Sequence, residues 1–278
     1  MSIKIYPGFY KAPVKSNNEN TGALMEVFKP YDLGNTIIVG KTGTGRFAVF
    51  GNILSQFLLC YNDKDIRLRI WDGAGELIPG KSSGIEFCDI VEVGVNSAEC
   101  TLLSFLQNVR ENIIKRLHNE IDKSIPQIVI LNDMFKTFYL LSDYLRTSII
   151  MLMQQIVSHS CESNVYLYIV SDSINFVQSP LCLEDFDIVI VTKVDNDESV
   201  RIFGDTRVSK DKTIFYKRNT IVHVKYGDSV RVLNTPFYNK PKVIRDILSR
   251  ETLPKGVRFT DYGLKQWENF ARLICKID

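Results

Sequence analysis

The stretch Thr36-Ile37-Ile38-Val39-Gly40-Lys41-Thr42-Gly43-Thr44-Gly45-Arg46-Phe47 runs from an apolar strand signal into a glycine-rich turn. Gly40 and Gly45 keep the spacing of the phosphate-binding pattern G-x-x-x-x-G-K-[ST]. In that pattern the glycines bring backbone N–H groups against phosphate oxygens, the lysine holds the β and γ phosphates, and the hydroxyl ligates magnesium. Here Arg46 occupies the lysine position and Phe47 the hydroxyl position. Arginine keeps the positive charge but presents a longer planar fork rather than a point charge. Phenylalanine gives magnesium no oxygen, and Thr42 and Thr44 lie earlier in the loop. Lys41, directly after the first glycine, supplies a second cation within reach of a phosphate. Gly40, Lys41, Thr42, Gly43, Thr44, Gly45, Arg46 and Phe47 are therefore the candidate nucleotide-binding set. ATP or ADP is the expected ligand, Mg2+ is poorly provided for, and no metal site is expected.

Downstream of the loop, Val49, Ile53, Leu54, Phe57 and Leu58 fall on one face of a helix predicted over 48–61. A strand is predicted over Ile66–Trp71, ending at Asp72 and the turn Gly73-Ala74-Gly75. Between Ala98 and Ile121, Leu102, Phe105, Leu106, Val109, Ile113 and Leu117 recur at helical spacing, and Arg110, Lys115 and Arg116 form a basic face expected to be solvated. After Pro126, Gln127 to Leu131 is the continuous apolar run of a buried parallel strand, ended by Asn132-Asp133. Its position and ending resemble a Walker B strand. A helix is predicted over 142–160 and a buried strand over Val165–Val170, closed by Ser171-Asp172-Ser173. Further strands are predicted at 188–192, 213–216 and 221–225, the last returning over 229–233 through Gly227-Asp228. The polar run Lys15 to Gly22 reads as a loop or mobile arm that reaches a neighbouring subunit, and residues from Pro236 onward as a tail with helices at 242–250 and 264–276. This order predicts an α/β fold with a mostly parallel central sheet and helices on both faces, binding ligands at the strand C-terminal ends. The division expected is an N-terminal arm over 1–30, the α/β domain over 31–235 and a helical tail over 236–278.

The 278 residues, 45% hydrophobic and 24% charged, suffice for one large α/β domain with extensions. A net charge of +2 exerts no strong global pull on nucleic acid, so DNA contact would need a local patch or an oligomeric pore. Cys60, Cys88, Cys100, Cys161, Cys182 and Cys275 show no C-x-x-C spacing and sit mostly in apolar stretches, which predicts buried thiols in a reducing compartment. No apolar run approaches the roughly 20 residues of a membrane span, and the start Met1-Ser2-Ile3-Lys4-Ile5 lacks a signal-peptide plan. A cytoplasmic chain is expected, and Met1 favours a whole protein over a module. His118, His159 and His223 are scattered and support no nucleophilic triad. Glu184, Asp185, Asp187, Asp195, Asp197 and Glu198 are expected to face solvent.

Over residues 30 to 235 the order of motifs resembles the FtsK/SpoIIIE/HerA group of P-loop motor domains. Asp32-Leu33-Gly34-Asn35 resembles the lead into that group's Walker A loop. Asp72-Gly73-Ala74-Gly75-Glu76-Leu77 resembles its "D-P-K-G-x-E-L" turn, shortened and without the lysine. The helix over 98–121 resembles the long helix before Walker B. Asn132-Asp133 falls where the group has Asp-Glu, and Tyr168 to Asp172 where it has the "A-T-Q" strand, with Asp172 near the glutamine. Lys193-Val194-Asp195 and Ser199 to Phe203 resemble its "K-V-D-S-R-T-I-L" with an insertion. The resemblance implies a RecA-like P-loop NTPase domain that assembles as a homo- or hetero-oligomeric ring and moves DNA or supports protein export. It also implies that Asn132 takes the magnesium-holding position, Asp133 the water-orienting position, Asp172 a sensor position and Arg201 that of an arginine finger across a subunit interface. The alternative for Arg201 is a surface salt bridge.

Asparagine contributes no charge to a metal site, and aspartate is one methylene short of glutamate. With Arg46 and Phe47, these departures damage one magnesium and γ-phosphate centre. The reading that follows is a P-loop domain with impaired catalysis, structural or regulatory in a DNA-translocation or secretion machine. The runner-up is an active ATP-driven DNA translocase serving conjugation, segregation or packaging, and the third reading is a nucleic-acid or protein adaptor independent of nucleotide.

Overall fold

Short runs of β-branched and aliphatic residues build the centre of the fold. The computed structural model describes residues 3–16, 19–28, 30–61, 63–73, 88–92, 98–206, 208 and 219–236. In chain order its strands are β1 (Lys4–Ile5), β2 (Phe9–Ser16), β3 (Glu19–Phe28), β4 (Tyr31–Asp32), β5 (Thr36–Val39), β6 (Arg67–Asp72), β7 (Cys88–Glu92), β8 (Gln127–Asn132), β9 (Val165–Ser171), β10 (Ile188–Val191), β11 (Asn219–Tyr226) and β12 (Ser229–Pro236). The helices are α1 (Arg46–Cys60), α2 (Ala98–Leu117), α3 (Met134–Leu140), α4 (Asp143–Ser158), α5 (Ser160–Ser163) and α6 (Asn196–Phe203).

Ten strands form one sheet in the order β3-β2-β12-β11-β10-β5-β9-β8-β6-β7, and β1 pairs separately with β4. The strands from β10 to β7 in that order run parallel. Every residue of β5, β8 and β10 is buried, as expected of parallel strands covered on both faces. Alternation divides their side chains between two cores. Ile37, Val39, Val129, Leu131 and Ile169 pack with α2 and α4 on one face, and Ile38, Ile128, Ile130 and Val170 pack with α1 on the other. Each such side chain contributes about 1.5–3 kcal/mol by leaving water. The apolar stripe of α2 lies where its spacing puts it, with Leu102, Phe105, Leu106, Val109 and Ile113 all buried. Ser142 caps α4 by accepting from Leu145 N, and Asp195 caps α6 by accepting from Glu198 N. Gly204 ends α6 in the left-handed conformation.

Several expectations are corrected. Lys15 to Gly22 is not simply a loop: Lys15 and Ser16 end β2, Glu19 to Gly22 begin β3, and the hairpin joins the sheet by pairing with β12. Strand pairing overrides the polar composition there. Helices α3 and α6 and strand β7 were not expected, while the helix predicted over 142–160 is present as α4 and is followed by the separate short helix α5. Arg116 is buried rather than solvated. It donates to Asn112 Oδ1, Ile125 O and Ser163 O, and burial first, then the nearby Arg67 charge, pull its pKa below the usual value. Glu198, expected to face solvent, is also buried, accepting from Ile174 N and Ser173 Oγ. Cys88 is buried, but Cys161 and Cys182 are exposed. The strand predicted over 213–216 and the tail helices over 242–250 and 264–276 lie outside the described residues. Among the described residues no helix is long and apolar enough to cross a membrane.

Candidate functional site

Four neighbouring parallel strands, β5, β9, β8 and β6, end on one edge of the sheet. Backbone bonds fix their ends in a row: Gly40 N donates to Ser171 O at 3.1 Å, Asp133 N to Val170 O at 2.9 Å and Gly73 N to Asn132 O at 2.9 Å. The glycine loop, Ser171-Asp172, Asn132-Asp133 and Asp72 are thereby brought together although scattered in sequence. Lys41 N reaches across to Lys193 O at 2.9 Å, tying the loop to the end of β10.

The glycines are required for two separable reasons. A Cβ on Gly40 would lie 1.8 Å from Thr192 Oγ1, so space excludes any side chain there. Gly45 combines a φ of 93° with a Cβ position 2.4 Å from Thr220 Oγ1. Gly43 has a φ of 80° with nothing near its Cβ position. Gly45 is the N-cap of α1 and makes no side-chain cap, so the first N–H groups of the helix look out over the loop.

Arg46, the first residue of α1, turns its side chain back into this loop. Its Nη1 donates to Gly40 O at 3.2 Å, and its Nη2 pairs with Asp133 Oδ1 at 3.3 Å. Both side chains of the pair are only 3% exposed. The guanidinium carbon also stands 4.9 Å from the ring centre of Phe47. Asp133 has a φ of 53° at the head of α3 and makes no side-chain cap hydrogen bond. A non-glycine residue in that region is uncommon and aspartate is among the types that tolerate it.

The remaining predicted residues take different positions. Asn132 is fully buried, donating from Nδ2 to Asp72 Oδ1 at 2.8 Å, while its Oδ1 has no partner among the described residues. Asp172, at the end of β9, likewise has a buried Oδ1 without a partner. Thr44 Oγ1 donates to Lys41 O at 2.7 Å and lies 2.7 Å from Thr192 Oγ1, so this hydroxyl is turned into the protein. Phe47 packs against the core on the α1 side. Thr42 and Gly43 are exposed, and Lys41 is exposed with Asp195 Oδ2 3.8 Å away. Arg201 is not gathered into this group. It is exposed on α6, and its guanidinium is held by Val177 O at 2.8 Å and Asn175 Oδ1 at 3.4 Å rather than by a carboxylate.

The cradle fits phosphate oxygens and fits magnesium poorly. Glycines clear the backbone, a helix N-terminus faces the loop, and Arg46 supplies charge. For magnesium, Phe47 brings no oxygen, Asn132 is neutral, and the Thr44 hydroxyl is already engaged. Among the described residues no group of three or more His, Cys, Asp or Glu side chains is arranged to hold a metal ion. Reasoning from sequence missed Asp72 as a member of the site, and with it Thr192 and Thr220, whose side chains enforce the glycines. Asp72 carried a signal: it ends an apolar strand just before a glycine turn.

No family model matches the sequence, and no curated protein matches it. Solved structures do match in fold. The chain aligns over its full length with 50% of EssC (ATPases 2 and 3) from Geobacillus thermodenitrificans, at 16% identity and a TM-score of 0.58. With the cytoplasmic domain of the Thermomonospora curvata type VII secretion ATPase EccC the TM-score is 0.61 at 11% identity, covering 84% of this chain and 31% of that one. With the monomer form of the pCW3 conjugation coupling protein TcpA, solved with ATPγS, it is 0.52 at 15% identity, covering 87% and 70%. The chain spans about half the length of the EssC structure. At these identities the likeness is one of fold: the chain has the RecA-like P-loop architecture of FtsK/SpoIIIE-like ATPases.

Proposed function

We propose that this chain is a P-loop domain with weak or no ATP hydrolysis, working as a structural or regulatory subunit of a DNA-translocation or secretion machine. The observation that carries the reading is the buried Arg46–Asp133 ion pair inside an otherwise intact glycine cradle. The residue at the lysine position and the residue at the water-orienting position are bonded to each other. Phe47 and Asn132, at the two positions that would serve magnesium, bring no charge to it. The fold shared with the type VII secretion ATPase EccC and the conjugation coupling protein TcpA supports the choice of machine. On this reading ATP or ADP binds weakly without a well-held magnesium, and the domain sits in a homo- or hetero-oligomeric ring in which Arg201 faces a neighbour.

The test is magnesium-dependent ATP hydrolysis with and without double-stranded DNA, beside Asp133→Asn as a control for contaminating ATPase. Asparagine tolerates the left-handed backbone of this position, so the control removes the charge without adding backbone strain. The expected result is no turnover above the control under either condition. DNA-stimulated turnover that the variant loses would establish the active translocase instead, with Asp133 as its water-orienting carboxylate.

A further inference from the structure

We infer that Asp133 acts as a built-in competitor for phosphate, neutralising Arg46 and holding the loop in a self-occupied state that a polyphosphate ligand must displace. The inference rests on the reading of residues 40–47 as a phosphate-binding frame and concerns how that frame is regulated. Arg46 is the cation carried by the head of α1, and both of its terminal nitrogens are engaged inward, one by Gly40 O at 3.2 Å and the other by Asp133 Oδ1 at 3.3 Å. A planar guanidinium can hold the loop carbonyl and the carboxylate together, a geometry that an ammonium group does not reproduce. The Phe47 ring beside the guanidinium further favours this inward position.

A phosphate entering the cradle meets two opposing terms. The N–H groups at the head of α1 attract it. The Asp133 carboxylate repels it and already holds the arginine that would bind it. Drawing Arg46 onto the ligand would leave Asp133, itself 3% exposed, as a buried carboxylate deprived of this counter-charge. Affinity for di- and triphosphates is therefore suppressed in the resting chain. It rises when α3, which begins directly after Asp133, shifts that carboxylate away from the loop. The backbone at this position is left-handed, which fixes the direction of the side chain without a cap bond to hold it. The loop and the strand end that follows β8 are thus coupled through one ion pair.

The test is titration calorimetry of the full chain with inorganic tripolyphosphate and with ATP, both in EDTA so that magnesium plays no part. Asp133→Asn removes the charge and keeps a residue suited to a φ of 53°; Asp133→Gly, equally suited, replaces it if the first variant does not fold. The uncharged variant should bind both probes about ten- to a hundredfold more tightly than the wild type. That gain should vanish in Arg46→Met/Asp133→Asn, which removes the cation as well. Equal or weaker binding by the variant overturns the inference, and so does an absence of binding in both proteins. Either result leaves the proposal of impaired hydrolysis standing, whereas magnesium-dependent turnover by the wild type overturns that proposal without touching the affinity ratio.

Discussion

At the N-terminal end of the parallel strands, Asn35 and Arg116 are buried and richly bonded, whereas at the C-terminal end Asn132 and Asp172 each bury an oxygen without a partner among the described residues. Asn35 donates from Nδ2 to Ser160 Oγ at 2.9 Å and accepts from Leu167 N at 3.0 Å, stitching the start of β5 to β9 and α5. Arg116 gathers the carbonyls that precede β8 and β9. A buried polar atom left unbonded costs about 1–3 kcal/mol, so a fold under no other demand removes it. Asn35 and Arg116 serve the architecture, and the unbonded atoms of Asn132 and Asp172 lie in the candidate site, although Gln127 Nε2 at the start of β8 is also buried without a partner among the described residues.

Arg116→Met tests the bonded end and carries the largest effect. It should lower stability by about 3–5 kcal/mol in urea unfolding, because carbonyls that shared one charged donor are left buried together. A loss under about 1 kcal/mol would break the comparison, since it would mean that those carbonyls find water as readily as the site oxygens could.

Asn132→Asp tests the other end. It sets a second carboxyl against the fully buried Asp72, whose Oδ1 now accepts from Asn132 Nδ2 at 2.8 Å. Two carboxylates in one buried site raise the pKa of one of them above its unfolded value. The folded variant then binds more protons than the unfolded one, so its stability falls as pH rises through that interval and recovers on acidification. A loss of about 2–3 kcal/mol at neutral pH is expected, relieved by adding Asp72→Asn. A carboxylate at position 132 therefore needs both strand ends changed. If Asn132→Asp alone proves neutral and independent of pH, Asp72 is not charged in the native protein and the site end is less polar than its residues suggest.

The parts of the site that could be read in the sequence are those with local causes. The glycine spacing of 40–45 and the apolar runs of β5, β8, β9 and β10 follow from neighbours in the chain, and the structure has them where expected. The Arg46–Asp133 pair joins residues 87 apart and the Asp72–Asn132 bond residues 60 apart, so neither leaves a periodic trace. They become visible only once the register sets Asp72 opposite Asn132. Arg116 was misread because a charged side chain on an amphipathic helix looks solvated until its buried acceptors are known, and Glu198 because it stood among clustered carboxylates where no helix was expected and its donors come from the segment after β9. The hairpin β2–β3 contradicts its own polar composition because its two strands pair with each other, Lys15 opposite Asn20 and Ser16 opposite Glu19.

The glycine loop gives the finest contrast, since it separates the demands of backbone conformation from those of space. Gly45→Ala meets both a φ of 93° and a Thr220 side chain whose nearest atom is 2.4 Å from the new Cβ. Its cost should be about 2 kcal/mol or more. Gly43→Ala meets a φ of 80° alone, with open space around the new Cβ, and should cost about 1 kcal/mol. Adding Thr220→Ala removes both the Oγ1 and the methyl that stand 2.4 and 2.5 Å from that Cβ position, so it should bring the two alanine variants closer together in thermal unfolding. Equal costs before that change would mean that Thr220 yields freely and conformation alone selects these glycines. A persistent difference would mean that the wall of β11 presses on the head of α1, holding Arg46 at the angle from which it reaches Asp133.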